Sequence, residues 1–239
     1  MPVANKRKQH DLNVYVHARD NELEYELFEA CNIGKAASFD TADIICFVGG
    51  ADVNPLLYNE EPLGCTGFDI KRDAFDLEGW RSAGEKLKVG ICRGGQFLNV
   101  MNGGKLWQDV DNHGGSHILT DRFTGEKVMV SSTHHQQFRP GHSAVVVATA
   151  RETTYKKCEA HQWNLRNSGT VADDFFKIDH EVLWYPRSRS LCFQPHPEYS
   201  DPPTTWKYFD KVLWKCIRDE YPKDQAGHSF LSEIKKEKA

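Results

Sequence analysis

The sequence lacks the signatures of several protein classes. Its 239 residues contain no run of about 18 apolar residues, so no segment is predicted to cross a membrane. The basic residues 1–10 are not followed by an apolar stretch, so no secretory signal is predicted. Neither GxxxxGK[ST] nor a GxGxxG after a strand occurs, which argues against the common nucleotide-binding loops.

A strong excess of charge is also missing. The chain has 30 Lys and Arg and 34 Asp and Glu, which gives a formal net charge of −4. This charge is too balanced for a protein that binds nucleic acid electrostatically. Hydrophobic residues make up 39% of the chain, too many for a disordered protein. The length suits one large domain, with two small domains as the alternative. We expect a flexible leader over 1–11, a single domain over 12–222 and a polar tail over 223–239.

Paired cysteine motifs are absent as well. The chain has seven cysteines, an odd number, and no CxxC pair, so neither a disulfide framework nor a zinc knuckle is predicted. Four cysteines lie in apolar surroundings and are expected to be buried, namely Cys31, Cys46, Cys192 and Cys216. This usage favours a reducing, cytoplasmic compartment.

The chain does contain an alternation of strand and helix patterns. Strands are predicted at 13–17, 43–48 and 89–91, and helices at 21–31, 73–87 and 96–101. This order is typical of an α/β fold, in which sites lie at the carboxyl ends of parallel strands. The second half is richer in short strands, predicted at 127–132, 144–150, 175–178, 181–185 and 190–193, and closes with a helix over 204–221.

Cys92 stands between a predicted strand and a predicted helix, in the segment KVGICRGGQFLNVMNGG. A sharp strand–turn–helix connection exposes its apical residue and directs helix N–H groups at whatever that residue attacks. A helix N-terminus and the neighbouring Arg93 both favour a thiolate, the nucleophilic form of cysteine. The alternative is a buried cysteine in a glycine-rich turn.

A nucleophilic thiolate needs a base and a group that orients the base. His196 lies in the segment CFQPHPEY, between Pro195 and Pro197, which stiffen the backbone. Glu198 follows two residues later, on the same face if the segment is extended. A structural histidine is the alternative. The N–H groups of Gly50 and Arg93 are candidate donors to an oxyanion, although Gly49-Gly50 alone is equally typical of an ordinary turn.

These segments together resemble the class I glutamine amidotransferase-like superfamily, whose nucleophile motif G-x-C-x-G-x-Q is matched from Gly90 to Gln96. The sequence is most similar to its γ-glutamyl-γ-aminobutyrate hydrolase branch, the C26-type peptidases. The similarity is carried by GGADVNPLLY at 49–58, DIKRDAFDLE at 69–78, GICRGGQFLNVMNGGKLWQD at 90–109, SSTHHQQ at 131–137 and EVLWY…CFQPHPE ending at 198.

The resemblance implies a flavodoxin-like three-layer α/β sandwich with a mostly parallel central sheet and a small antiparallel region. It implies a catalytic triad formed by Cys92, His196 and Glu198. It also implies an oxyanion hole formed by the N–H groups of Gly50 and Arg93. It places Gln96, His134 and His135 at the substrate. A metal site at His134-His135 is the alternative, but adjacent residues do not share a strand face and no carboxylate cluster accompanies them in sequence. We expect neither a metal nor a cofactor.

The function implied is hydrolysis of a γ-glutamyl amide bond through a γ-glutamyl thioester. The alternative is a glutaminase subunit that delivers ammonia to a separate synthetase partner, and a non-catalytic binding subunit is a further alternative. A small γ-glutamyl compound or glutamine is the expected ligand, with no nucleic acid and no membrane. The oligomeric state is left open, with a homodimer as one option.

Some features fall outside the resemblance. The first strand lacks the usual glycine-containing start, and the polar segment 153–174 does not align with the family. His113 and His117, in an expected polar loop between Gly103 and Lys127, receive no role. The Arg93 side chain is expected to support the thiolate or to hold a substrate carboxylate.

Overall fold

The computed structural model describes residues 12–18, 22–158, 161–164 and 178–223. The first half of the chain contains β1 (Asn13–His17), α1 (Glu22–Ala30), β2 (Gly34–Lys35), β3 (Ile44–Phe47), α2 (Ile70–Ala83), β4 (Leu87–Ile91), α3 (Arg93–Met101), β5 (Lys105–Trp107) and β6 (Asp109–Val110). It is followed by β7 (Gly114–Asp121), β8 (Lys127–Thr133), β9 (Gln137–Arg139), β10 (Val145–Ala150), β11 (Tyr155–Cys158), β12 (His161–Asn164), β13 (Asp179–Tyr185), β14 (Ser190–Phe193) and α4 (Thr204–Ile217).

A mixed sheet of nine strands organises the described residues, in the order β2-β1-β3-β4-β14-β13-β10-β7-β8. The first five strands are parallel to one another, and the last four extend the sheet through antiparallel pairs. Two smaller antiparallel sheets, β12-β11-β6 and β5-β9, lie beside it. The α/β prediction is confirmed, with the antiparallel strands continuing the main sheet.

Helices cover both faces of the parallel half. On one face, Phe28 of α1 and Phe209 of α4 pack in the same apolar cluster as Val89 and Phe193. On the other face, Phe97 of α3 packs in a second cluster with strand residues that include Phe47 and Cys192. Strand residues alternate between the two clusters because successive side chains of a strand point to opposite faces. The three-layer sandwich follows from this alternation.

Helix α2 begins and ends earlier than predicted. The Asp69 carboxylate accepts hydrogen bonds from the N–H groups of Lys71 and Arg72, so the helix starts at Ile70 rather than at Asp73. It ends at Ala83, and Gly84 follows with a φ of +49°. Leu87, predicted to close this helix, is instead the first residue of β4. A single apolar residue fits the period of a helix and that of a strand equally well, so the sequence did not show whether Leu87 belongs to α2 or to β4.

The prediction of a polar loop between Gly103 and Lys127 is wrong. This stretch contains β5, β6 and the eight-residue β7, whose alternating burial leaves His117 and Leu119 inside. Part of the unaligned segment 153–174 forms β11 and β12, which pair antiparallel. The leader 1–11, the tail from 224 onward and most of the predicted strand 175–178 lie outside the described residues.

None of the helices in the described part of the chain combines the length and the apolar character needed to cross a membrane.

The start of α3 lies against β3 with very little space between them. A Cβ atom built on Gly94 would stand 2.1 Å from the Phe47 carbonyl oxygen, a backbone atom that cannot move aside. Glycine at this position therefore allows α3 to approach β3. This close approach places Cys92, the residue before α3, at the carboxyl end of β4.

Replacing Gly94 by alanine is expected to destabilise the protein by about 1–3 kcal/mol or more, because the added methyl group overlaps the backbone of β3. Urea unfolding followed by far-UV circular dichroism measures this change. The matched control is Gly64→Ala, where an added Cβ meets no atom within 4 Å, and this variant is expected to stay within about 1 kcal/mol of the parent. Equal stability of the two variants would contradict the close approach.

Candidate active site

Cys92 occupies a strained turn at the end of β4. Its backbone has φ +50° and ψ −112°, a conformation that a residue with a side chain rarely adopts. The Cys92 N–H donates to the Phe193 carbonyl of β14 at 2.8 Å, and the Cys92 carbonyl accepts from Gln96 N–H at 3.0 Å. The turn is thus held from both sides. It places the thiol at the carboxyl end of the parallel strands and at the N-terminus of α3.

His196 and Glu198 form a tight pair near Cys92. His196 Nδ1 lies 2.6 Å from Glu198 Oε1, which orients the ring. A Cβ built on Gly49 would stand 3.2 Å from His196 Cε1 and 4.0 Å from Cys92 Cβ, so both side chains border the same glycine. The ring of Tyr199 stacks on the imidazole with 4.4 Å between centroids.

The backbone of His196 is fixed by Ser131 of β8. The Ser131 hydroxyl accepts from His196 N–H at 3.0 Å and donates to the His196 carbonyl at 2.9 Å. Two hydrogen bonds to one buried hydroxyl leave the segment little freedom to rotate. A residue of β8, in the antiparallel half of the sheet, therefore positions His196, which follows β14 of the parallel half.

The surroundings of His196 favour its protonated form. Burial opposes protonation, but hydrogen bonds and charges from Cys92 and Glu198 outweigh it and raise the pKa of His196 to about 11. An imidazolium beside a cysteine is the partner that a thiolate requires.

The loop after β3 is held by two arginines. Arg72 donates to the carbonyl groups of Val48 and Gly49, and Arg93 Nε donates to the Ala51 carbonyl at 3.0 Å. The Gly49 carbonyl and the Gly50 N–H belong to one trans peptide, so they point in opposite directions. The Gly50 N–H therefore points away from Arg72. Gly50 itself adopts a φ of +143°, which favours glycine.

The same arginines form a buried ion cluster with two carboxylates of α2. Arg93 binds Asp73 at 2.5 Å and also binds Asp76, and Arg72 Nε binds Asp76 at 3.0 Å. We call Arg72, Asp73, Asp76 and Arg93 the arginine–aspartate cluster. Burial, followed by repulsion from Arg72, lowers the pKa of Arg93 to about 10, so it remains charged at neutral pH.

This cluster changes the interpretation of the Arg93 side chain. The sequence suggested that it supports the thiolate or holds a substrate carboxylate. The structure instead directs the guanidinium at Asp73, Asp76 and the Ala51 carbonyl, where it is 1% exposed. Its contacts are those of a residue that joins α3, α2 and the loop after β3. The Arg93 N–H is a separate group, one of the first helical N–H groups that α3 leaves without an intrahelical acceptor.

Gln96 is buried and contacts the cysteine through a second glutamine. Its amide donates to Gln194 Oε1 and to the Gln136 carbonyl, both at 3.3 Å. Gln194 Nε2 in turn lies 3.7 Å from Cys92 Sγ. Gln194 is a site residue that the sequence motifs did not predict. Its signal was the alternation of polar residues in an extended segment, since Gln194, His196 and Glu198 fall at intervals of two.

The two adjacent histidines separate in the structure. His134 is buried, with Nδ1 2.9 Å from the Gln136 carbonyl and Nε2 3.9 Å from Glu181 Oε2. His135 is partly exposed and contacts Asp52 at 3.0 Å. Each histidine therefore has a carboxylate beside it in space, although no carboxylate cluster accompanies the pair in sequence. The carboxylates come from distant parts of the chain, which local spacing does not reveal.

A cleft of about 710 Å³ opens beside the histidine. Its lining includes Gly49, Gly50, His196 and Glu198, together with the charged side chains of Glu24, Asp69, Lys71 and Arg72. Cys92 itself is not among the lining residues, and neither are Gln96, His134 and His135, although all four lie within the described ranges. The role of Gln96, His134 and His135 in substrate binding remains a prediction.

The chain is similar to known proteins over most of its length. The pattern of the family Peptidase C26 matches residues 34–165. The chain is 36% identical over 203 residues to a candidate glutamine amidotransferase-like protein, YvdE, of Lactococcus lactis, covering 73% of this chain and 72% of that protein.

Solved structures share the fold at low sequence identity. A candidate GMP synthase component from Thermoplasma acidophilum superposes with a TM-score of 0.59 at 11% identity, covering 87% of this chain and 96% of that one. A glutamine amidotransferase from Thermotoga maritima gives a TM-score of 0.52 at 13% identity, covering 90% and 87%.

Removing the Glu198 charge is expected to lower the pKa of His196. Glu198→Gln deletes a carboxylate that favours the imidazolium, so the pKa should fall by about 1–3 pH units toward the ordinary value of histidine. Ring carbon and proton shifts of ¹³C-labelled histidine measure it by NMR. Glu61→Gln, which removes an exposed carboxylate elsewhere, is the control and should leave the titration unchanged. An unchanged titration in Glu198→Gln would contradict the assigned contact.

Proposed function

Because the chain belongs to the peptidase C26 family of class I glutamine amidotransferase-like proteins, we propose that it cleaves the γ-amide bond of a γ-glutamyl compound. The family supports hydrolase or amidotransferase activity. The γ-glutamyl substrate, the thioester intermediate and the roles of individual residues are our proposal.

One observation carries the assignment of Cys92, His196 and Glu198 as the triad. A thiol in a strained strand–helix turn and an imidazole oriented by a carboxylate at 2.6 Å border the same glycine. Nucleophile, base and orienting group are the three parts that acyl transfer through a covalent intermediate needs. A non-catalytic binding protein would have no need for all three parts together.

In the first half of the proposed reaction, the Cys92 thiolate attacks the side-chain carbonyl carbon of the γ-glutamyl group. The carbonyl oxygen becomes an oxyanion, which the Gly50 and Arg93 N–H groups bind. When the C–N bond breaks, the His196 imidazolium gives its proton to the leaving amine. A γ-glutamyl thioester remains on Cys92.

In the second half, water replaces the amine. The now neutral His196 takes a proton from the water as the oxygen attacks the thioester carbon. A second oxyanion forms at the same two N–H groups, the C–S bond breaks and glutamate leaves. Glu198 keeps its charge and stabilises the imidazolium in both halves.

The charges of the cleft support an amino-acid ligand. Lys71 stands in the same lining as Glu24 and Asp69, whereas Arg72, also in the lining, is engaged by Asp76 and the loop carbonyls. Cationic side chains suit the α-carboxylate of a glutamyl group, and acidic side chains suit its α-ammonium. A lining of both signs therefore fits a zwitterionic γ-glutamyl compound better than a purely anionic or cationic one.

A glutaminase subunit is the second candidate function. It uses the same chemistry, with ammonia as the leaving group, and would require a synthetase partner that consumes the ammonia. The fold shared with the candidate GMP synthase component keeps this candidate open. The two candidate functions, γ-glutamyl hydrolase and glutaminase subunit, differ in the leaving group, which is a substituted amine in the first and ammonia in the second.

We also propose a reducing, cytoplasmic setting. None of the seven cysteines, all of which lie in the described residues, forms a disulfide. A nucleophilic thiol must stay reduced to act, which agrees with such a compartment.

Incubation with γ-glutamyl donors, followed by acid quenching and mass spectrometry, is expected to show a γ-glutamyl adduct on Cys92. The adduct should be absent in Cys92→Ala, whose turnover should fall by at least about 10³-fold because no other group supplies the nucleophile. Cys65→Ala is the matched control, since Cys65 is the exposed cysteine, and it should retain the adduct.

The donors distinguish the candidate functions. Turnover of γ-glutamyl amines in preference to glutamine indicates a hydrolase, and turnover of glutamine that rises on adding a synthetase indicates a glutaminase subunit. Absence of both adduct and turnover with every donor would contradict the proposal and leave the alternative of a non-catalytic binding protein.

A further inference from the structure

A second group of reactive side chains lies inside the protein, away from the cleft lining. His113 precedes β7, His117 lies on β7, His134 follows β8 and Glu181 lies on β13. All four are buried, with Glu181 fully inaccessible. We call them the histidine–glutamate cluster. Neither the proposed mechanism nor the family resemblance assigns a role to His113, His117 or Glu181.

The topology brings these residues to one place. Residues 113 and 117 are separated by an even number of positions in extended chain, so both side chains take the same face. Their rings meet at 5.0 Å between centroids, and the rings of His113 and His134 meet at 4.4 Å. Three imidazoles therefore surround a single carboxylate.

The distances inside the cluster are too long for hydrogen bonds. His117 Nε2 lies 3.6 Å from Glu181 Oε1, and His113 Nδ1 lies 3.9 Å from the same oxygen. A nitrogen–oxygen hydrogen bond closes to about 2.9 Å. Two ligands bound at about 2.1 Å to one tetrahedral zinc ion stand about 3.4 Å apart. The spacing thus resembles that of ligands around a shared ion more than that of a hydrogen-bonded pair.

Several polar atoms of the cluster lack hydrogen bonds. Among the described residues, no partner within hydrogen-bond distance is found for either ring nitrogen of His117, for His134 Nε2 or for Glu181 Oε2. Burying such atoms without partners costs free energy. The unbonded atoms belong to side chains that meet in this one cluster, so one bound cation would satisfy several of them at once.

The outer contact of His113 matches that of a metal-binding histidine, and Glu181 and His134 are oriented by contacts of their own. Ligating histidines usually bind a carbonyl, carboxylate or hydroxyl through their other ring nitrogen, which fixes the tautomer. His113 Nε2 contacts the Thr153 hydroxyl at 2.9 Å. Glu181 Oε1 accepts from Gln137 Nε2 at 2.9 Å. His134 Nδ1 faces a carbonyl, which only accepts, so Nδ1 carries the proton and Nε2 presents a lone pair to Glu181 when the ring is neutral.

A buried cation near the cluster is already engaged. Lys156 Nζ binds Asp179 at 2.8 Å and the Ile178 carbonyl at 2.6 Å. This pairing balances Asp179 and leaves Glu181 with an amide as its hydrogen-bond donor. A divalent cation would place a further positive charge beside Glu181.

From these observations we propose that His113, His117 and Glu181 bind a divalent transition-metal ion, with His134 presenting a further nitrogen to the same carboxylate. One ligand atom from each of the three lies within 4.8 Å of the others. Imidazole with carboxylate suits zinc and its neighbours rather than magnesium or calcium.

The position of the ion gives it a structural role. It would join β7 to β13 beside the segment after β8. His134 Nδ1 and Gln96 Nε2 both contact the Gln136 carbonyl, and Gln96 reaches Cys92 through Gln194. A bound ion would therefore support the wall of the candidate active site without contacting substrate.

The test is metal content. The full-length protein is stripped with a chelator, loaded with zinc, passed through a desalting column and analysed by mass spectrometry of the elements. About one zinc per chain is expected in the parent protein, and less than about 0.2 in Glu181→Gln and in His117→Gln. His142→Gln removes an exposed histidine, and it should retain the ion. Zinc at or below about 0.2 per chain in the parent protein would overturn the proposal.

The absorption spectrum of bound cobalt and the melting temperature are measured on the parent protein. They therefore require neither enzyme activity nor correctly folded variants. Cobalt loading of the parent protein should give the intense visible bands of a tetrahedral site, and zinc should raise its melting temperature by about 5 °C or more. Octahedral cobalt bands only, or a melting temperature unchanged by zinc, would indicate surface binding and overturn the proposal.

Discussion

The arginine–aspartate cluster is the interaction on which the geometry of the candidate active site depends. Asp73 and Asp76 of α2 bind Arg93 at the start of α3, and Arg72 joins them from α2. The same two arginines hold three carbonyl groups of the loop after β3. Two helices and one loop are thus fixed against each other. Two arginines balance two carboxylates, so no net charge is buried.

This constraint links packing to chemistry. Arg93 directly follows the nucleophile, so an ion pair made by its side chain fixes the turn that carries Cys92. Arg72 fixes the Gly49 carbonyl, and through the planar peptide it fixes the direction of the Gly50 N–H. Removing one member of a buried pair leaves an unpaired charge, which typically costs about 3–5 kcal/mol. Ser131 performs the corresponding task for His196 from the other half of the sheet.

The sequence predicted those parts of the protein whose signals are local. The strand–Cys92–helix turn, the pair His196 and Glu198 and the alternation of the first hundred residues are short-range patterns, and the structure places each element close to its expected position. The α2 boundaries were wrong because the Asp69 cap and the ambiguous Leu87 were not recognised.

What the sequence could not supply were contacts between distant segments. Arg93 meets Asp73 and Asp76 from 20 and 17 positions away, and its immediate neighbours alone suggested a role at the thiolate. Glu181 meets histidines from other segments, so a metal site had no support when only His134 and His135 were considered. Gln194 was visible as a pattern, but its partner Gln96 lies 98 positions away.

Steady-state kinetics of Arg72→Gln tests most directly whether the arginine–aspartate cluster orients the oxyanion-binding loop. With the donor that acylates Cys92, kcat should fall by about 10²-fold or more, while KM changes little, because an oxyanion donor acts mainly in the transition state. Arg81→Gln, an exposed change on the same helix, should retain full turnover. An unchanged kcat in a folded Arg72→Gln protein, or a loss confined to KM, would contradict the account.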